Sequence, residues 1–206
     1  MNTWNNGKSS EDILKNAQTA DRTFTMLLCA RIFILKRLVE SLPPFTDATT
    51  ARRRWVLAQV LPPCLDFGEP SDLFTIVLQS LRNASADTMH QIIRSMLQFV
   101  TTKRPGLFPK GPETKLFVVI DEVQVAADRP KEYFRSSTTK TNMRPILHEM
   151  YRFLLEYTTV VGGIILSGTG LSVQMVEEAV NSVSAKQVDV RRTQVISLPR
   201  QTIYTN

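Results

Sequence analysis

The chain has 206 residues, 43% of them hydrophobic and 21% charged, and its formal net charge is +6. This length suits one sizeable core or a small two-part domain, and the ordinary balance of apolar and charged residues excludes an intrinsically disordered chain. A secreted or membrane-spanning protein is not expected either, because the start has no apolar leader and the most apolar run, residues 24–42, contains three basic residues. We expect an intracellular protein, cytoplasmic or nuclear.

The first half of the chain shows the three-and-four spacing of apolar residues that is typical of helices. This spacing predicts a long helix from Ser9 or Ser10 to about Leu42, where Pro43 and Pro44 end it. Residues 1–104 are therefore predicted to form a helical segment. Its further helices are one capped by Asp47 and ending before Pro62, one from Pro70 to about Leu81, and one from Ala86 to Thr101.

The composition of the sequence changes around Pro105, where the stretch RPGLFPKGPETK contains three prolines and two glycines. After it, short strands alternate with helices, and the strands are apolar throughout. Such strands are typical of a parallel sheet that is covered on both faces. Residues 105–206 are therefore predicted to be an α/β part, with strands at 116–120, 163–166 and 194–198 and helices at 144–157 and 171–183.

Cysteine and histidine do not indicate a metal centre or a catalytic triad. Cys29 and Cys64 lack the paired spacing of a zinc site and are expected to be buried free thiols. His90 and His148 lie on helical patterns. The basic residues occur in short groups, such as the arginines at 52–54, and are interpreted as a solvated basic face. A nucleic-acid partner stays open.

Two carboxylates follow the predicted strand 116–120 in the stretch KLFVVIDEVQ. The carboxyl ends of parallel strands line the ligand crevice, and two neighbouring charges are costly there unless a cation offsets them. Magnesium suits this position, since it takes oxygen ligands and bridges carboxylates to phosphates. LFVVIDE thus has the pattern of a Walker B element: Asp121 is predicted to hold Mg²⁺, and Glu122 to polarise the attacking water. The alternative is that the pair caps the helix or turn after the strand.

The stretch GGIILSGTGLS repeats the arrangement of an apolar run followed by small polar residues. Ser167 and Thr169 are predicted to lie at the tip of the neighbouring strand, where a hydroxyl orients water or contacts the terminal phosphate. Gly168 and Gly170 allow a sharp turn of the backbone there. A strand-to-helix turn with a serine or threonine cap is the alternative interpretation.

A phosphate-binding loop requires GxxxxGK[ST] after a buried strand. The best match is NTWNNGKSS, in which Gly7, Lys8 and Ser9 fit the end of the motif. Asn2 stands where the first glycine belongs, and no strand of this chain precedes it. We interpret this stretch as a mimic of the motif.

Five ordered blocks resemble the P-loop ATPase region of the Crinkler-type proteins of mushroom-forming fungi, which is related to the STAND and AAA-like ATPases. The resemblance extends over most of the chain, roughly from Gly7 to Gln194. The blocks are LLCARIFILKRL, ARRRWVLAQVLPP, LFVVIDEVQVAAD, FRSSTTKTNMRPIL and GIILSGTGLS.

The resemblance implies a partial P-loop NTPase of the three-layer α/β class with a parallel sheet, preceded by the helical segment, that uses Mg²⁺ and ATP. It implies that Asp121 is the magnesium-associated acid, Glu122 the catalytic base, and Ser167 and Thr169 the sensor position. Arg144, in MRPIL, matches a block expected to make a charged contact at the site or at a protomer interface. In the family the phosphate loop precedes the long helix, so this chain is expected to begin downstream of it.

Two functions are therefore expected to compete. The first is an ATP-binding and ATP-hydrolysing NTPase domain fragment that lacks a recognisable phosphate loop and is weak or inactive by itself. The second is a non-catalytic module whose helices, within residues 10–102, bind a protein, another copy of the chain or a nucleic acid. Nucleotide-dependent stabilisation would favour the first, and binding that weakens steeply with salt would favour a nucleic-acid partner.

Overall fold

The computed structural model describes residues 4–5, 9–60, 73–103, 116–128, 133–134, 144–157, 161–168 and 174. No helix in these ranges is long and apolar enough to cross a bilayer. In chain order the elements are α1 (Ser10–Ser41), α2 (Ala48–Val60), α3 (Leu73–Ser80), α4 (Ala86–Lys103), β1 (Leu116–Ile120), α5 (Val123–Asp128), α6 (Ile146–Leu155) and β2 (Val161–Leu166).

Most predicted elements within these ranges are confirmed. Strand β1 has the predicted bounds, β2 begins two residues earlier than predicted, and the five longer helices agree with prediction to within a few residues at each end. The sequence pattern does not predict α5, because a helix of 6 residues is too short to show a period of 3.6. The predicted strand at 194–198 lies outside the described residues, as does the predicted helix at 171–183 apart from Gln174.

Helix α1 is the central element of the molecule. Its 32 residues begin with a capping box, in which Ser9 Oγ accepts a hydrogen bond from the backbone of Asp12 while the Asp12 carboxylate accepts one from the backbone of Ser9. This exchange satisfies two backbone donors that the first turn of a helix leaves unpaired. Leu42 ends the helix in an extended conformation, which suits the residue before Pro43. Helices α2, α3, α4 and α6 all pack against α1.

Helices α1 and α4 run parallel, as two contacts along their length show. Just before the start of α4, the carbonyl oxygen of Ala84 accepts a hydrogen bond at 3.0 Å from the guanidinium of Arg22, which lies near the middle of α1. Near the ends of both helices the Lys36 ammonium lies 4.8 Å from the ring centre of Phe99. The main core lies between α1, α4, β1, α5 and α6, and a second, smaller cluster of Leu35, Val39 and Val100 lies toward the carboxyl ends of α1 and α4.

Strands β1 and β2 form a parallel pair in which Val118 lies opposite Ile164 and Ile120 opposite Leu166. These four residues belong to or pack against the main core. The intervening side chains point to the other face of the sheet, where large fractions remain exposed. The exposed fractions are 59% for Phe117, 61% for Val119 and 50% for Ile165.

The three-layer α/β class expected above is wrong for the described structure. Helices make up 72% of the described residues, and the sheet has two strands. One face of this sheet packs against the core and the other is exposed within the described part of the chain. The three-layer class was expected because strands that are apolar throughout are typical of a sheet covered on both faces. The apolar run does not by itself supply the second covering layer. In β1 the exposure alternates although the polarity of the residues does not.

Candidate functional site

Parallel pairing of β1 and β2 brings Asp121 and Ser167 together. The two strands end opposite each other at Ile120 and Leu166, so the next residue of each chain segment lies at the same edge. Ser167 Oγ donates a hydrogen bond to Asp121 Oδ1 at 2.6 Å. The backbone reinforces this contact, because the Ser167 N–H donates to the Ile120 carbonyl at 2.9 Å and the Val123 N–H donates to the Ser167 carbonyl at 2.9 Å.

The Asp121 carboxylate is exposed and ionised. Its pKa is lowered from the ordinary value of 3.8, chiefly by the hydrogen bond from Ser167 and secondarily by a backbone hydrogen bond from Glu122. Both hydrogen bonds favour the charged form. The strand edge therefore presents a fixed negative charge at neutral pH, with one of its oxygens already bound to a hydroxyl.

Glu122 adopts an unusual backbone conformation. Its φ is 51°, and among the described residues no other non-glycine residue has a positive φ. A left-handed conformation is uncommon for a non-glycine residue. Here it turns the chain from β1 into α5. The Glu122 side chain accepts a hydrogen bond at Oε2 from Gln124 Nε2. The second acid is thus exposed but has a defined position.

Gly168 completes the junction by leaving room for Gln124. A methyl group at residue 168 would overlap Gln124 Oε1 and lie 3.2 Å from the backbone nitrogen of Val123. The glycine therefore allows the amide of Gln124 to pack beneath the turn while its Nε2 reaches Glu122. Sequence reasoning missed Gln124, although it lies two residues after Glu122 in the stretch DEVQ.

Arg144 lies on another element, just before α6. Its backbone N–H donates to the carbonyl of Phe134 at 2.8 Å, and its Nη1 lies 2.7 Å from His148 Nε2. Because a guanidinium only donates hydrogen bonds, His148 Nε2 accepts here, which places the imidazole proton on Nδ1. His148 is itself 3% exposed. These contacts give Arg144 a structural partner at the start of α6. The other predicted site residue, Thr169, lies outside the described residues.

The two acids do not form a closed metal cage. Within the described ranges no group of three or more histidine, cysteine, aspartate or glutamate side chains could hold a metal ion. Magnesium often keeps several waters and binds through one or two carboxylates together with phosphate oxygens of a substrate. An exposed aspartate beside a hydroxyl, with a second carboxylate next in sequence, fits that mode of binding better than a structural metal site.

A scan against protein-family models and searches of curated proteins and of solved structures found no match to this chain.

Proposed function

We propose that this chain contains the acid half of a magnesium-dependent nucleotide site, of the kind used by nucleoside triphosphatases. The proposal depends on one observation above all, the 2.6 Å hydrogen bond that joins Asp121 to Ser167 across two parallel strand ends. Carboxylates at this edge of a parallel sheet suit Mg²⁺ and phosphate ligands. The resemblance to the Crinkler-type ATPase region supports the same assignment.

Each side chain has a separate task in this proposal. Ser167 holds Oδ1 of Asp121, which leaves Oδ2 to bind magnesium directly or through a water molecule. Gln124 holds Oε2 of Glu122, which leaves Oε1 to accept a proton from the attacking water. Bound magnesium would supply positive charge to the phosphate oxygens as negative charge develops on them.

The NNGKSS stretch supports weak rather than tight nucleotide binding. In a phosphate-binding loop the hydroxyl of the final Ser or Thr binds magnesium. Ser9 stands at that position, and its Oγ accepts a hydrogen bond from the Asp12 N–H at 3.0 Å as the cap of α1. This use of the hydroxyl agrees with the interpretation of the stretch as a mimic. We expect slow or undetectable turnover by this chain alone.

The metal can be tested separately from turnover by using Mn²⁺ as a paramagnetic substitute for Mg²⁺. We expect the Mn²⁺–ATP complex to bind the protein, as measured by the further rise in water-proton relaxation when protein is added to Mn²⁺–ATP. Asp121→Asn removes the ligand charge and should weaken this binding about tenfold or more, since polar contacts to a charged group contribute about 1.5–3 kcal/mol. Glu122→Gln should bind Mn²⁺ with ATP much as before and remove any measurable hydrolysis.

The matched control is Glu11→Gln, which neutralises an exposed acid on α1 that pairs with Lys15. This variant should bind Mn²⁺ like the unmodified protein. Equal Mn²⁺ binding by the unmodified protein and the Asp121→Asn variant would refute the proposal.

A further inference from the structure

The basic residues of this chain concentrate at one end of the helical bundle. The second half of α1, all of α2 and the last turn of α4 contribute seven cations, whereas the acids of the same segments and of the α1–α2 turn are Glu40 and Asp47. Glu40 forms ion pairs with both Lys36 and Arg37, so two basic side chains share one acid. The cations are Arg31, Lys36, Arg37, Arg52, Arg53, Arg54 and Lys103.

The smaller hydrophobic cluster joins the three helices that carry these cations. Trp55 of α2 and Phe99 of α4 both pack against the cluster of Leu35, Val39 and Val100. The ring of Phe99 lies under two ammonium groups, that of Lys36 at 4.8 Å and that of Lys103 at 5.9 Å. Cation–π contacts of this kind hold the amines in place, and the Lys36 ammonium pairs with Glu40 as well. At the basic end, the packed ring of Phe99 therefore lies beneath two of the cations.

Helix α2 exposes three consecutive arginines. Successive residues of a helix project about 100° apart, so the guanidinium groups of 52–54 spread over more than half of the helix circumference. All three are exposed, and within the described residues neither Arg53 nor Arg54 has an acidic partner. A ligand that meets all three must carry negative charge along a path that wraps the helix.

An exposed aromatic ring stands at the start of the same helix. Phe45 is 98% exposed and lies in a tight turn, in which the Thr46 N–H donates to the Pro43 carbonyl at 3.1 Å. Asp47 then caps α2 by accepting a hydrogen bond from the Thr50 N–H at 2.9 Å. Hydrogen bonds on both sides thus hold the turn that presents the ring, and the arginines follow in the second turn of α2.

From these features we infer that the basic end of the bundle binds single-stranded nucleic acid. Proteins that bind single strands combine cations along the phosphate backbone with exposed aromatic rings on which bases stack. Arg52, Arg53 and Arg54 supply the cations on α2, and Phe45 supplies the ring. This surface is separate from the strand-end site and does not depend on the function proposed there.

A membrane surface fits α2 less well. Val56 and Leu57 are 57% and 55% exposed, and residues three and four apart share one face of a helix. Arg53 therefore lies on the same outer line as both apolar residues. Helices that lie in a membrane interface separate an apolar face from a charged one, whereas this line has a guanidinium at its centre.

The test measures fluorescence anisotropy of labelled 20-nucleotide oligo(U), labelled oligo(dT) and a labelled duplex of the same length, over a series of salt concentrations. Binding to phosphatidylserine vesicles is measured by cosedimentation over the same series. We expect the single strands to bind, and their affinity to fall with salt. The triple variant Arg52→Gln, Arg53→Gln, Arg54→Gln should weaken binding about tenfold or more. Loss of three phosphate contacts should also reduce the slope of log affinity against log salt by about 2.

Two controls separate a specific surface from net charge. The variant Lys15→Gln, Arg82→Gln, Arg94→Gln removes the same charge from exposed positions elsewhere on the bundle and should stay within about threefold of the unmodified protein. Phe45→Ala should weaken single-strand binding about fivefold or more through lost stacking, whereas Leu14→Ala, which truncates a side chain that is 58% exposed on α1, should not.

Four outcomes would overturn the inference: no binding of either single strand, equal losses in the two triple variants, unchanged binding by Phe45→Ala, or tighter binding of the duplex or the vesicles. If the triple variant of α2 melts at a lower temperature than the unmodified protein, the double variant Arg53→Gln, Arg54→Gln replaces it. In that case the expected slope falls by about 1.4.

Discussion

At the residue scale, the hydroxyl of Ser167 lowers the pKa of Asp121. A hydrogen bond to a carboxylate favours the charged form, and this one is the largest cause of the lowered Asp121 pKa. Because the folded-state pKa lies below the unfolded one, the contribution of Asp121 to stability is present above the unfolded pKa and is lost as the pH falls through the folded pKa.

The variant Ser167→Ala should therefore raise the Asp121 pKa toward its ordinary value of 3.8. The measurement is a pH titration of the side-chain carboxyl carbon by nuclear magnetic resonance. Asp47 is an internal reference, since its pKa is also lowered, by Thr50 at the start of α2, and this contact is remote from Ser167 in sequence. An unchanged Asp121 titration in the variant would show that the serine does not bind this carboxylate in solution.

The site also shows which residues a sequence can predict and which it cannot. Asp121 and Ser167 were accessible to prediction because both follow apolar strands, and parallel pairing brings such positions together. Gln124 was not, because its importance arises from the positive φ of Glu122 and the missing side chain of Gly168. Neither feature has a sequence signature of its own. His148, the partner of Arg144, lies four residues later in the chain. The sequence could predict that the two residues lie near each other, but not that they share a hydrogen bond.

At the element scale, the junction between β2 and α5 depends on a glycine. Gly168→Ala should destabilise the protein by about 1–3 kcal/mol, as is typical of overpacking, because the new methyl group overlaps the Gln124 amide next to the backbone of Val123. Urea unfolding measures the difference. In a Gln124→Ala background the same substitution should cost less, since the overlapping atom is gone, and a double-mutant cycle gives the size of this coupling.

A matched control exists on β2 itself. The added methyl group of Gly163→Ala meets the Phe117 ring at 2.9 Å, and this ring is 59% exposed and can rotate toward solvent. The restriction of the unfolded chain by alanine is common to both substitutions, so the freedom of the Phe117 ring to move should make the net cost smaller at 163 than at 168. Equal costs at the two positions would contradict the packing role of Gly168.

The sheet illustrates the limit of prediction from apolar runs. The strand positions and parallel pairing follow from short β-branched segments separated by a helical pattern, and both are confirmed in β1 and β2. Coverage of the second face does not follow, because Phe117 and Val119 have the same polarity as their buried neighbours. The number of layers depends on which distant segments pack on each face, and a local pattern contains no information about that.

At the scale of the whole molecule, α1 links the strand-end site to the basic end of the bundle. Its first half packs against α6, where the rings of Phe24 and Phe153 lie 5.9 Å apart, and its second half packs against α2 and α4 through Leu35 and Val39. Cys29 lies between Phe24 and Leu35 on α1 and belongs to the main core. A side chain at this position becomes accessible only when the packing of several elements is lost together.

Cys29 should therefore report global unfolding. It is 1% exposed, and burial raises the pKa of its thiol from 9.0 to about 11, which lowers the thiolate fraction about 100-fold in addition to blocking access. In a Cys64→Ser variant, labelling of Cys29 by a thiol reagent at pH 8 should be slow, and its rate should rise with urea in parallel with loss of helical circular dichroism. Fast labelling of the native protein would show that α1 opens locally, and would contradict the role of α1 as the shared core of both ends.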